Sequence, residues 1–127
     1  MTFQRIATGK KGERIAANFL KQQGYEIIIK NYKTKYGEID IICRDRGYIC
    51  FIEVRSSNSS RFNIPEYTIT KRKQYQISKA ALSYIKRFGL EKGNSRFDVV
   101  CIEDVNSDEP KVRLIKNAFE LDISYRY

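Results

Sequence analysis

Apolar residues recur along this chain with two periods, and the places where the period changes divide it into helices and strands. From Gly9 to Gln23, Ile15, Ala16, Phe19 and Leu20 fall at helical spacing, and Gly24 stops the run. Tyr25–Tyr32 then reads as a strand. Gly37–Arg44 and Tyr48–Arg55 read as two more, joined by Asp45-Arg46-Gly47, which carries the turn chemistry of a tight hairpin. Both have apolar residues at odd and even positions, so the sheet they enter is expected to be covered on both faces. Ser56 to Thr70 has no clear period, contains Pro65 and reads as a long loop. A second helix is expected from Thr70 to Phe88, with Ile77, Ala81, Tyr84 and Ile85 on one side and Gly89 as its stop. Arg96–Glu103 and Lys111–Phe119 complete the pattern as a fourth and a fifth strand; Glu120–Tyr127 is left as strand or tail.

The order is therefore αβββαββ, an α/β protein with a central mixed sheet flanked by helices. At 127 residues it is expected to be one domain, with 1–8 as a flexible lead-in and 120–127 as a tail. Charge adds a partner class. Lys and Arg outnumber Asp and Glu by 24 to 15, giving a net charge of +9, which attracts polyanions and nucleic acid above all. The segment Arg61–Arg87 concentrates this charge, with Glu66 as its sole acid. Phe62, Tyr67 and Tyr75 lie there too, where aromatic rings can stack on bases. The chain has no His, which excludes Ser-His-Asp triads, His-based zinc sites and imidazole bases. Cys43, Cys50 and Cys101 lack paired spacing and sit in apolar runs, so they read as buried thiols of a reducing compartment. With no spanning segment and no signal core, the expected setting is the cytoplasm, without a membrane partner.

The chemistry lies in the hairpin "YGEIDIICRDRGYICFIEVRS". Asp40 and Glu53 stand among isoleucines, where an unpaired carboxylate either raises its pKa or finds a partner. If Arg46 and Gly47 are the two loop residues, Asp40 lies opposite Glu53 on one face. At about 4 Å and an effective dielectric near 20, their charges repel by roughly 4 kcal/mol, and a divalent cation removes the conflict. Mg²⁺ or Mn²⁺ accepts carboxylate oxygens, retains waters and leaves positions for a phosphate. Period 2 sets Arg55 on the face of Glu53, where its guanidinium can grip phosphate oxygens. Glu13 extends the stripe of Ala16 and Leu20, and Lys73 that of Ile77 and Ala81, so each can point from a helix start toward the sheet.

Plainer readings exist for each residue. Asp40, Glu53 and Arg55 equally describe an ion-pair network at a sheet end. Glu13 also fits an acid in a helix's first turn, favoured by the dipole. Lys73 also fits a solvated member of "KRK". Glu38 reads as structural or solvated, and Asp98 in "RFDVV" as a cap or pair near a strand end.

Taken in order and spacing, "GKKGERIAANFLKQQGY", "KNYKTKYGEIDIIC", "FIEVRS", "TITKRKQYQISKAALSYI" and "RFDVV" resemble the YraN family of predicted bacterial endonucleases. By resemblance that family belongs to the PD-(D/E)XK nuclease superfamily, near the archaeal Holliday junction resolvases. The resemblance implies a metal-dependent endonuclease acting on DNA, with branched or single-strand-containing DNA as substrate and RNA left open. It implies Asp40 and Glu53 as metal acids, Glu13 as the helix acid and Lys73 as the lysine that opens the second helix. The superfamily's signature lysine falls on position 55, where this chain has Arg. A catalytically weak or silent nucleic-acid-binding module is therefore the alternative. Arg61, Lys71, Arg72 and Lys79 are the expected backbone contacts, and a homodimer is expected by analogy.

Overall fold

The structure, a computed structural model, describes residues 3–58 and 69–123. Its elements are α1 (Phe3–Gln22), β1 (Glu26–Thr34), β2 (Gly37–Asp45), β3 (Tyr48–Ser56), α2 (Lys71–Arg87), β4 (Asn94–Glu103) and β5 (Lys111–Phe119). The strands form one mixed sheet in chain order, antiparallel except between β3 and β4, which are parallel and joined through α2. A parallel pair requires such a crossover, and α2 supplies it. Among the described residues no helix is long and apolar enough to cross a membrane.

The two helices cover opposite faces. Ala16, Ala17 and Leu20 of α1 pack on Ile41, Cys43, Cys50, Ile52, Val100 and Ile102. Ile77, Ala80, Ala81 and Tyr84 of α2 pack on Ile42, Ile49, Phe51 and Phe97. Neighbours such as Phe51 and Ile52 thus serve different cores, which is why β3 carries apolar residues at both parities. Each fully buried large side chain contributes about 1.5–3 kcal/mol.

α1 begins at Phe3, so the expected flexible lead-in is helical from that residue on. Gly9, taken as the start, is an interior glycine, a position that costs about 1 kcal/mol relative to Ala without ending a helix. The other elements agree with the sequence pattern to within a residue or two, and β5 has the bounds it predicts. Residues 120–123 are irregular, and the remainder of the expected tail lies outside the described residues, as do Arg61, Phe62 and Tyr67.

Two local features set up the end of the sheet. Arg46 and Gly47 have φ of 52° and 88°, the positive pair of a type I′ turn, and this fixes the register Asp45↔Tyr48, Cys43↔Cys50, Ile41↔Ile52. Beyond Ile41 the alternation slips: Ile39 and Ile42 both enter the α2 core while Ile41 enters the α1 core. Strict period 2 would have kept Ile39 with Ile41. The slip falls at Asp40. Across from it on β1, Asn31 adopts φ 55°, so both strands are irregular there.

Candidate functional site

The irregularity at Asp40 turns a strand side chain into a backbone partner. The last paired residues of the β2–β3 ladder are Ile41 and Ile52. One step further on, Val54 N–H donates to Asp40 Oδ2 at 2.8 Å instead of to a strand carbonyl. Glu53, between them, is 7% exposed and alternates with Phe51 onto the α2 side of the sheet. The carboxyl groups of Asp40 and Glu53 meet and share a hydrogen bond, so the predicted meeting occurs, through a phase slip rather than a regular cross-strand pair.

A buried carboxyl in contact with a half-buried one cannot share its charged state without penalty. Burial chiefly, and then the charge of Glu53, push Asp40 up to about 8, against the opposing pull of the Val54 N–H. Burial also raises Glu53, opposed first by Lys73 and then by the Asp40 hydrogen bond and Arg55. Burial therefore pushes both carboxyls of the pair up.

Around the pair stand the other residues singled out from sequence. Lys73 reaches Glu53 Oε2 with its Nζ at 4.0 Å. It is the third residue of α2, whose start is fixed by Thr70, the Oγ1 of which accepts from the Lys73 backbone N–H at 3.1 Å. Arg55 follows Glu53 on the same side of β3 and acts on its charge. Glu13 acts on both Asp40 and Glu53 from α1. It does so from the middle of that helix, because α1 has no acid in its first turn; the helix-start placement expected for Glu13 is corrected by the earlier start at Phe3.

Asn31 is the site residue that sequence reasoning missed. Its Nδ2 donates to Glu13 Oε1 and to Glu38 Oε1, both at 2.8 Å, tying α1, β1 and β2 together beside the carboxyl pair. The signal was an Asn, a poor strand former, inside β1 between Lys30 and Tyr32. Among the described residues no three acid or thiol side chains form a ready-made metal shell; the close set is the pair, with Glu13 turned to Asn31.

Lys71, Arg72 and Lys79 lie along α2. Lys71 faces Asp122 at 3.9 Å, and Lys79 lies over the Tyr36 ring at 5.0 Å. Asp98 proves to be unrelated to the site and is not near a strand end. It is fully buried inside β4, accepts from Arg96 Nε at 3.0 Å and Asn117 N at 2.8 Å, and belongs to a network with Asp45 at the hairpin's turn end.

Fold and site define a class: an α/β protein on a mixed five-stranded sheet, with a buried and a half-buried carboxyl in contact at the end of its central strands and basic side chains beside them. The chain belongs to the uncharacterised protein family UPF0102, the YraN family, whose profile matches residues 12–102. That span contains Glu13, Asp40, Glu53, Arg55 and Lys73. The chain is similar to the UPF0102 protein of Syntrophus aciditrophicus (strain SB), 42% identical over 93% of this chain and 92% of that one. It is likewise similar to the UPF0102 protein of Clostridium kluyveri, at 44% over 89% and 93%, and to that of Geobacter sulfurreducens, at 41% over 89% and 88%.

Proposed function

We propose that the protein is a Mg²⁺- or Mn²⁺-dependent endonuclease that hydrolyses DNA phosphodiester bonds, with branched or junction DNA as its preferred substrate. The observation that carries this reading is the Asp40–Glu53 pair, a half-buried and a buried carboxyl set against one another and both pushed up by burial. Such a pair suits a hard divalent cation, which takes oxygen donors, needs only one or two carboxylates from the protein and replaces the proton on Asp40. Asp40 and Glu53 would hold the ion, and Glu13 would complete or position its shell through its bond to Asn31. When bound, the ion supplies positive charge to the scissile phosphate and an activated water.

The chain's own cations serve the same phosphate. Lys73 offers its ammonium group beside Glu53, and the first turn of α2 adds the positive end of the helix dipole. Arg55 presents a fork able to grip two phosphate oxygens and to stabilise charge that grows in the transition state. Lys71, Arg72, Lys79 and, outside the described residues, Arg61 would contact the flanking backbone, making binding fall steeply with salt. Two cuts are needed to resolve a four-way junction, so action there would take a pair of protomers.

A catalytically silent nucleic-acid-binding module is the second reading, favoured by Arg55 at the position of the signature lysine. Cleavage of labelled linear, flapped and four-way DNA in Mg²⁺ and Mn²⁺ separates the two. The nuclease is expected to give product that Asp40→Ala and Glu53→Ala abolish, and Arg55→Lys is expected to cut faster. Absence of product in every divalent salt, with DNA binding unchanged by EDTA, would favour the silent module.

A further inference from the structure

Away from the carboxyl pair, the turn between β1 and β2 lies against α2 and forms a groove with it. Lys35 and Tyr36 make one wall, and Lys79, Ser83, Lys86 and Arg87 the other. Among the described residues no acidic side chain lines it. The half-buried Tyr36 ring holds the Lys35 and Lys79 ammonium groups at 5.2 and 5.0 Å, so two like charges are gathered on one aromatic post. Lys71 and Lys73 have acid partners, but among the described residues none of Lys35, Lys79, Lys86 and Arg87 is held in an ion pair. Four such cations around one groove repel one another until a polyanion enters.

The spacing along α2 gives the groove a direction. Arg72, Lys79 and Lys86 recur every seventh residue along α2, with Lys73 beside the row at its start and Arg87 beside it at its end. A basic stripe therefore leads from the carboxyl pair to the far end of the helix. From Lys73 to Lys86 it spans about 20 Å at 1.5 Å per residue. That length matches roughly six nucleotides of one duplex strand at about 3.4 Å each.

We propose that this groove binds the phosphodiester backbone of the DNA arm flanking the scissile phosphate, with Lys35 on the turn and Lys86 and Arg87 on α2 as phosphate contacts and Tyr36 as the post that holds Lys35 and Lys79 in place. The assignment rests on the nuclease reading for the position of the scissile phosphate, and adds Lys35, Tyr36, Lys86 and Arg87 to the DNA-contacting surface. These contacts are to backbone, so they carry affinity and orientation rather than sequence preference.

The test is equilibrium binding of a labelled duplex of about 20 base pairs in EDTA, where cutting plays no part, across a series of salt concentrations. Lys35→Glu with Lys86→Glu is expected to weaken binding by about tenfold or more and to make the plot of log affinity against log salt shallower by about two. Lys35→Gln with Lys86→Gln, at exposed positions that leave the fold alone, is expected to move both readouts the same way by less. Affinity and slope equal to those of the unaltered protein in both double variants would overturn the proposal. Failure of the nuclease reading has a different signature: no product in any divalent salt while the groove variants still bind more weakly than the unaltered protein.

Discussion

At the scale of single residues, the state of Asp40 is set by what the fold places around it. In an unfolded chain its carboxyl ionises near 3.8, whereas burial and the Glu53 charge hold it protonated up to about 8. Between those values the folded chain binds a proton that the unfolded chain has lost, so stability is greatest below the lower value and declines as pH rises through the window. Without divalent ions, the melting temperature is expected to fall between about pH 5 and about pH 8, and Asp40→Asn to flatten that decline. Mn²⁺ is expected to raise the melting temperature most at the alkaline end, where it displaces the proton on Asp40. Scanning calorimetry with and without the ion checks this; a profile independent of pH in the metal-free protein would contradict it. The identities of Asp40 and Glu53 as unusual acids were legible because carboxylates among isoleucines break the apolar pattern. Asn31 was not, because its part depends on a positive φ at a bulged strand.

At the scale of elements, the hairpin was the most legible part. A two-residue turn ending in Gly fixes its own register as far as Ile41↔Ile52, and the slip just beyond that pair brings Asp40 to Glu53. Helix α1 was less so, since an interior Gly9 resembles a start signal and the residues before it have no strong period. The position of α1 is decided by contact with β3. A Cβ on Gly12 would sit 2.5 Å from Ser56 Oγ and 2.9 Å from Ser56 Cβ, so only glycine lets the helix cross so near the strand end. That crossing sets Glu13, the next residue, beside the carboxyl pair. Gly12→Ala is expected to cost about 1–3 kcal/mol as α1 is pushed off the sheet, although Ala is the better helix former. Urea denaturation measures the loss; a gain in stability would show that α1 rides further from β3.

Across the whole molecule, polar groups are buried at both ends of the central strands, and the ends do different things. At the turn end, Arg96 bonds Asp45 at 2.8 Å and Asp98 at 3.0 Å, and donates to Tyr25 Oη at 2.8 Å, tying β2, β4 and the exit from α1 together. Lys116 Nζ lies 3.6 Å from Asp45 as a second cation, so the two acids meet two bases there and the network serves the fold. At the other end, Asp40 and Glu53 lie against one another and both are pushed up, and the proposed function gives this pair to a metal ion. About 17 Å of strand separates Asp45 from Asp40 at roughly 3.3 Å per residue, far enough for the two ends to respond independently. Asp98→Ala is expected to cost about 3–5 kcal/mol by leaving Arg96 Nε and the Asn117 N–H without their buried acceptor, while Mn²⁺ uptake by the folded protein stays unchanged. Chemical denaturation paired with calorimetric titration reads both quantities, and loss of uptake would show that the ends are coupled. The sequence by itself determined the element order, the hairpin register and the positive charge along α2, because periodicity, turn residues and side-chain charge are local properties of the chain. Only the tertiary structure decided which acids meet, since the slip at Asp40, the approach of α1 at Gly12 and the bridge through Asn31 arise from segments far apart in sequence packing at one end of the sheet.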